Sequence, residues 1–240
     1  MVRQPLAKII SLTICLSFNS CASFEPGMRF QDLMRPRQPT VMQVQEGLEV
    51  SIEEFATAKK SQQAFDADVA PYGILPLLLK VNNVGTQSYR LREHEVNVYL
   101  GKDSLASLSG EKAAGQSATS EYAGKALGWT VATGPFFILL WPATIAGSAS
   151  HTAAVNRRIE QHFESMRFND SLLKPNQSAA GFLYFKLPAG IKRLEKLRVE
   201  ITPSEESSAK RLSFSLSLPP LDLSGAVSGQ ASGSRDDSKP

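Results

Sequence analysis

The chain has 240 residues, 42% of them hydrophobic, which suits a globular protein of one or two domains and excludes wholesale disorder or a polytopic membrane protein. The formal charge is only +3, and Arg3 and Lys8 lie in a segment that we expect to be removed, so we expect no nucleic-acid partner. Both cysteines, Cys15 and Cys21, lie near the N-terminus, which excludes a disulfide-stapled fold.

Residues 1–20 have the organisation of a secretory signal peptide. The basic residues Arg3 and Lys8 precede an apolar stretch from Ile9 to Phe18. At about ten residues, this stretch is too short to cross a bilayer as a helix. The pattern therefore predicts export of the chain.

The end of this segment, Phe18-Asn19-Ser20-Cys21, resembles the lipobox of bacterial lipoproteins, in which small residues precede an obligatory cysteine. Ser20 fits the small position, whereas Phe18 and Asn19 depart from the usual Leu and Ala or Ser. The resemblance implies that Cys21 becomes the first residue and carries acyl chains such as palmitate, with membrane lipid as the partner. Each buried methylene contributes roughly 0.8 kcal/mol, so several chains give stable attachment where one does not.

The residue after the cysteine bears on the final location. Ala22 stands where inner-membrane lipoproteins carry a retention Asp, so the resemblance implies an outer-membrane lipoprotein that faces the periplasm. The alternative is an ordinary signal cut after Ala22, which would release a secreted or periplasmic soluble protein.

The next part of the chain changes from a tether to strands. Residues 21–45 contain three prolines and little periodicity, which predicts a tether. Leu48, Val50 and Ile52 then alternate with polar residues, as in a half-buried strand. The run "ILPLLLKVNNVG" predicts a central strand with Pro76 near its start or at a bulge. In "SYRLREHEVNVYLGKD" the apolar parity changes near residues 93–95, which predicts a bulge or a break into two strands.

Alternation returns near the C-terminus. "SAAGFLYFKLPAG" predicts a strand with two covered faces or an aromatic edge, and "KLRVEITP" and "KRLSFSLSLPP" predict half-buried strands. We therefore predict a mainly β protein: an antiparallel β-sandwich formed by residues 46–103 and 176–219. An immunoglobulin-like topology is one option, although the Cys–Trp–Cys pattern is absent. Residues 220–240 are rich in Ser and Gly and predict a disordered tail.

Residues 104–175 have a different pattern and predict a helical, small-residue-rich insertion with a hydrophobic hairpin. Gly124 and Gly128 form a small-xxx-small pair, which is as typical of close soluble helices as of membrane helices. After the apolar run, one further stretch predicts an amphipathic helix that packs on the first helix or on the sandwich. Its apolar stripe consists of Val155, Ile159, Phe163 and Met166.

The centre of this insertion has no charge between Lys125 and His151. Pro135 and Pro142 disfavour a continuous helix, and a single crossing would separate sandwich strands that need each other. Three interpretations stay open: a hairpin buried in protein or between copies, a membrane-inserted hairpin, and a true span. In each of the first two, contact with membrane or partner is expected from four large side chains: Trp129, Phe136, Phe137 and Trp141.

The sequence contains no recognisable catalytic or metal-binding motif. His151 and His162 would stand roughly 16 Å apart on a helix, too far to share a metal. Glu93-His94-Glu95 predicts a solvated strand edge, since alternation points His94 away from its neighbours. A solvated face, or a contact with anionic lipid or polysaccharide, is predicted for the basic residues Lys186, Lys192, Arg193, Lys196 and Arg198.

These observations favour a non-catalytic, lipid-anchored envelope protein that acts as a binding or assembly module, with no cofactor and no metal. In this hypothesis the insertion contacts the membrane or an envelope protein partner. One alternative is a structural homo-oligomer closed through the insertion. Another is a periplasmic enzyme whose site is assembled from dispersed residues such as Glu93, His94 and Glu95.

Overall fold

The computed structural model describes residues 24–117 and 154–223 of the chain. These ranges form a mainly β fold with short helices. The strands are β1 (Val41–Gln45), β2 (Leu48–Glu54), β3 (Ile74–Asn83), β4 (Tyr89–Leu91), β5 (Val96–Leu100), β6 (Asp103–Ser104), β7 (Ser107–Leu108), β8 (Ser171–Leu173), β9 (Ser178–Lys186), β10 (Arg193–Leu194), β11 (Leu197–Ile201), β12 (Ser204–Glu205), β13 (Phe214–Ser217) and β14 (Leu221–Asp222). The helices are α1 (Phe30–Leu33), α2 (Ala58–Phe65), α3 (110–117) and α4 (154–166), with 3-10 turns at Ala70–Tyr72 and Glu93–Glu95.

The largest sheet has the antiparallel order β1-β2-β3-β9-β7. Its centre, β3 and β9, is apolar on both faces, as expected of strands covered from two sides. Pro76 is the third residue of β3, and its carbonyl accepts a hydrogen bond from the Phe55 amide, 3.0 Å away, just beyond the end of β2. The missing N–H of Pro76 therefore falls where β2 no longer pairs with β3.

A second antiparallel sheet has the order β13-β11-β5-β6. Its inward side chains share one buried cluster with inward side chains of the five-stranded sheet, among them Val50, Leu77, Leu183, Val98 and Val199. The described fold is thus a β-sandwich. Two smaller antiparallel sheets, β12-β4-β8 and β10-β14, complete it.

The strand order is that of an immunoglobulin-like sandwich. Strands β2-β3-β9-β7 follow the order A-B-E-D, and β13-β11-β5-β6 follow the order G-F-C-C′. Strand β1 extends the first sheet beyond strand A. The insertion begins after strand D (β7) and ends before strand E (β9), so it lies in the D–E connection of the sandwich.

Helices cover the outer face, which we define as the face of the five-stranded sheet turned away from the four-stranded sheet. It carries Leu78, Phe182 and Tyr184, which share a second buried cluster with residues of all four helices. The stripe predicted for α4 is confirmed, since Val155, Ile159, Phe163 and Met166 are all buried in that cluster. The molecule therefore has three layers: helices, five-stranded sheet and four-stranded sheet.

Several predicted boundaries need correction. The tether predicted over 21–45 is wrong in part, since this segment contains α1 and β1. Met28 and Leu33 are buried in the cluster on the outer face, and β1 pairs with β2. The insertion predicted over 104–175 is shorter, because β7 pairs with β9 and β8 pairs with β4. The tail predicted from 220 begins with β14, which pairs with β10. The break into two strands predicted near residues 93–95 is confirmed, because these residues form a 3-10 turn that separates β4 from β5.

The apolar run between Lys125 and His151, with Gly124, lies outside the described residues, as do residues 1–23 and 224–240. Among the helices of the described ranges, none combines the length and apolar character required to cross a membrane.

Candidate functional site

The side chains predicted to contact lipid or a partner all lie outside the described residues: Cys21, Trp129, Phe136, Phe137 and Trp141. Their neighbours in the chain are described. Phe24 follows Cys21 by three residues, α3 reaches residue 117, and α4 begins at residue 154. We take these three segments as the candidate site, because the predicted anchor precedes Phe24 and the apolar insertion connects α3 to α4.

Phe24 packs against the insertion helix α4. Its ring lies edge-on to the His162 imidazole, with 5.4 Å between centroids. Phe65, at the end of α2, approaches the same imidazole at 6.4 Å and stacks on Phe163 at 4.7 Å. Met28 is buried in the same cluster, so the N-terminal segment joins the helical layer within a few residues of Cys21.

His162 also makes a polar contact at this junction. Its Nε2 atom lies 2.7 Å from the carbonyl oxygen of Ala64, one of the last carbonyls of α2. Burial lowers the pKa of His162, and the hydrogen bond to Ala64 acts in the opposite direction. The imidazole therefore donates to the helix end in its neutral form. Beside it, the amide of Glu25 donates to Asp66 Oδ2 over 2.9 Å, which fastens the N-terminal segment to the end of α2.

A buried hydrogen bond holds α4 on the sheet. The Tyr184 hydroxyl on β9 donates to the Phe163 carbonyl over 3.0 Å. That carbonyl is near the C-terminus of α4, where the Arg167 amide bonds to Glu164 rather than continuing the helical pattern. Burial raises the pKa of Tyr184 well above its usual range, so the phenol stays protonated and able to donate.

The predicted cluster Glu93-His94-Glu95 lies at a separate place, an open depression of about 510 Å³. Glu93 and His94 line it, but the Glu95 carboxylate turns away and accepts from the Arg92 amide over 2.9 Å. Arg167 also lines the depression, although the sequence analysis did not identify it. Arg167 pairs with Glu93 across 74 positions of the chain, a separation that no local pattern reveals.

Arg167 is paired with two carboxylates in and beside this depression. Arg167 bonds to Glu93 and, at 3.2 Å, to Glu164. Burial lowers the pKa of Arg167, but the hydrogen bonds and charges of the two glutamates outweigh burial and raise it overall. Asp170 accepts from the Glu93 amide over 2.9 Å. Within residues 24–117 and 154–223, no three His, Cys, Asp or Glu side chains meet as metal ligands would.

The basic residues predicted as a solvated face are exposed: Lys186, Lys192, Arg193, Lys196 and Arg198. Two of them pair with nearby acids. Arg193 lies 3.4 Å from Glu195, and Arg198 lies 3.3 Å from Glu200. The alternation of β11 accounts for this, since it turns Arg198 and Glu200 to the same outer side.

Comparison with known proteins gives little similarity. No protein-family model matches the chain, and no curated protein matches it. Among solved structures, the chain is similar to a Bacillus subtilis subsp. subtilis str. 168 protein, ycdA, provisionally described as a lipoprotein. The two share 12% identity with a TM-score of 0.34, over 75% of this chain. The chain spans only 39% of that protein's length, and a likeness this distant carries no functional argument.

Proposed function

We propose that this chain is a lipid-anchored, non-catalytic protein of the bacterial envelope, acting as a binding or assembly module on the periplasmic face of the outer membrane. The observation that carries the proposal is the position of Phe24, which is packed against His162 only three residues after Cys21. Three residues span at most about 10 Å. Acyl chains on Cys21 would therefore hold the folded body directly at the bilayer rather than on a long tether.

The anchor is tested by metabolic acyl labelling of three forms of the full chain: wild type, Cys21→Ala and Cys15→Ala. Cys15→Ala is the matched control, because it removes the other cysteine from the same signal segment. We expect wild type and Cys15→Ala to be labelled and recovered with the outer membrane, and Cys21→Ala to be unlabelled. An unlabelled wild type would overturn the lipid anchor.

We further propose that the apolar insertion contacts the same membrane or an envelope protein. Support comes from its two flanks: Ala113 and Ala114 of α3, and Val155 and Ile159 of α4, are buried in one cluster on the outer face. The described helices on either side of the run thus belong to the layer against which Phe24 packs. This arrangement favours a segment that leaves and re-enters on one side over a single crossing.

The insertion is tested by vesicle flotation of a chain carrying Phe136→Asp and Phe137→Asp in the Cys21→Ala background, which removes the anchor. Leu172→Asp, an exposed apolar position on β8, is the control substitution. We expect the double substitution to abolish residual flotation and the control to retain it. Equal flotation of both would contradict membrane contact. A mass that grows with concentration and falls on the double substitution would assign the insertion to contact between copies.

A further inference from the structure

Strand β1 carries its apolar side chains on the outside. Met42 and Val44 are 59% and 51% exposed, although they alternate with Gln43 and Gln45 on a strand paired with β2. The register places Met42 beside Ser51 and Val44 beside Glu49, which are outer-face positions. The pattern is therefore inverted relative to a half-buried strand, which turns its apolar residues inward.

Hydrogen bonds explain why the inward-facing residues of β1 are the glutamines Gln43 and Gln45. The Gln45 side chain donates to the Ser213 carbonyl over 2.8 Å, and Gln43 accepts from the Ser215 amide over 3.1 Å. Both partners flank or belong to β13, the edge of the second sheet, so the glutamines satisfy edge backbone groups that would otherwise be left open. They account for the polar inner positions, whereas Met42 and Val44 remain more than half exposed on the outer face.

More apolar surface lies on the same outer face. Val84 continues the parity of Lys80 and Asn82 beyond β3 and is 53% exposed. The N-terminal segment crosses this face, where the Lys80 ammonium donates to the Met34 carbonyl over 3.1 Å. Phe30 and Met34 on that segment are themselves exposed. We call these five side chains the outer apolar patch: Phe30, Met34, Met42, Val44 and Val84.

Basic side chains accompany the patch. Arg29, Arg35 and Arg37 lie on the crossing segment and Lys80 lies on the sheet below it, against the acids Asp32, Glu49 and Glu53. Arg35 is 73% exposed despite its 3.0 Å pair with Asp32. Apolar side chains mixed with arginine and lysine suit the boundary between acyl chains and anionic headgroups, because the basic side chains can bury their stems and keep their charges in the headgroup layer.

The short connection between Cys21 and the crossing segment indicates which surface the patch would contact. The crossing segment that carries Phe30 and Met34 begins at Phe24, three residues from Cys21. An anchor on so short a connection keeps the outer face close to lipid, so even weak contacts are made at high effective concentration. A basic surface beside a lipid anchor adds electrostatic attraction to anionic lipids to the attachment that the acyl chains provide.

We propose that the outer apolar patch rests on the lipid bilayer and orients the sandwich, with its helical layer toward the membrane and its four-stranded sheet toward the periplasm. The inference rests on the proposed lipid anchor at Cys21. It adds an orientation and a membrane-contacting surface built from described residues of the sheet and of the crossing segment.

The test uses the full chain, purified in acylated form and reconstituted into phosphatidylethanolamine–phosphatidylglycerol vesicles. Acylation blocks Cys21 and the signal carries Cys15 away, so Met42→Cys supplies the single thiol for a fluorescent label. Leu172→Cys is the matched control, because Leu172 is an exposed apolar residue of the three-stranded sheet. Brominated acyl chains then report contact with lipid.

We expect brominated lipid to quench the label at position 42 several-fold more than the label at position 172. Equal quenching in acyl-labelled protein overturns this inference and leaves the anchor standing, whereas a chain without acyl label overturns both. A label at position 42 that is shielded from water-soluble quencher in cells but untouched by brominated lipid in vesicles would assign the patch to a protein partner and overturn the membrane contact.

Discussion

The Nε2 atom of His162 lies 2.7 Å from the carbonyl oxygen of Ala64, so an imidazole on the insertion helix closes the last turn of α2. The same ring supports Phe24, the first described residue after the predicted anchor. One side chain therefore joins the N-terminal segment, α2 and α4, and its charge state affects all three.

Acidification should loosen this junction. Burial lowers the pKa of His162 below its value in the unfolded chain, although the bond to Ala64 opposes the shift. The unfolded chain then binds the proton more tightly, so stability is complete above about pH 6.5 and declines as the pH falls through the lower pKa of the folded state. We expect His162→Gln to show a smaller loss of urea midpoint than wild type between about pH 7 and pH 5.

The control for this experiment is His94→Gln, because the His94 side chain is exposed and remote in sequence from the junction. It should keep the pH dependence of wild type. A His162→Gln variant with undiminished pH dependence would contradict the assignment.

The Arg167–Glu93 pair should contribute measurably to stability. Its two side chains are only 26% and 19% exposed, and removal of either leaves the other partly desolvated with fewer partners. We expect Glu93→Ala and Arg167→Ala each to lower the free energy of unfolding by about 1–2 kcal/mol. A double-mutant cycle should show a favourable coupling between them.

An exposed pair provides the comparison. Arg90 and Glu206 lie 3.4 Å apart with about half of each side chain in solvent, at 45% and 43%. Arg90→Ala should cost no more than about 0.5 kcal/mol, because water screens such pairs. Equal costs at the two pairs would show that the depression gives Arg167 no special environment.

Gly181→Ala should be strongly destabilising. A Cβ at Gly181 would lie 2.4 Å from the Phe168 Cα and 2.5 Å from its amide nitrogen, where the chain leaving α4 crosses β9. The Phe168 amide donates to the Phe182 carbonyl over 2.8 Å at this crossing. We expect a loss of about 2–4 kcal/mol by chemical denaturation.

Gly115→Ala is the matched substitution, because a Cβ there meets no atom of the described residues within 4 Å and residue 115 is helical. It should raise stability by up to about 1 kcal/mol, since alanine favours the helix over glycine. A tolerated Gly181→Ala would mean that the crossing is looser than these distances require.

Tyr184→Phe should release the end of α4. The substitution removes a buried hydroxyl that serves the Phe163 carbonyl over 3.0 Å, leaving that carbonyl without its donor. We expect a loss of about 1–2 kcal/mol and faster amide exchange in α4. Tyr89→Phe, whose hydroxyl bonds to the Glu46 carbonyl at 3.2 Å, should leave exchange in α4 unchanged.

Local periodicity was sufficient to predict the longer strands of the sandwich, β2, β3, β9, β11 and β13, and the insertion helix α4. Burial on one face leaves a period of two in β2, β11 and β13, and a stripe at spacings of three and four in α4. The continuous apolar run of β3 likewise indicated a central strand. The β-sandwich followed, because half-buried strands of this kind need one another to form a core.

Long-range contacts were needed for the remainder. The sequence predicted a tether in place of strand β1. The hydrogen-bond partners that explain Gln43 and Gln45 lie about 170 positions away along the chain, so the local pattern does not reveal them. The Glu93–Arg167 pair and the contact of Phe24 with His162 likewise join distant segments. Periodicity reports which face of an element is buried but not what buries it. The layer order, and the position of the N-terminal segment within it, therefore emerged from tertiary packing alone.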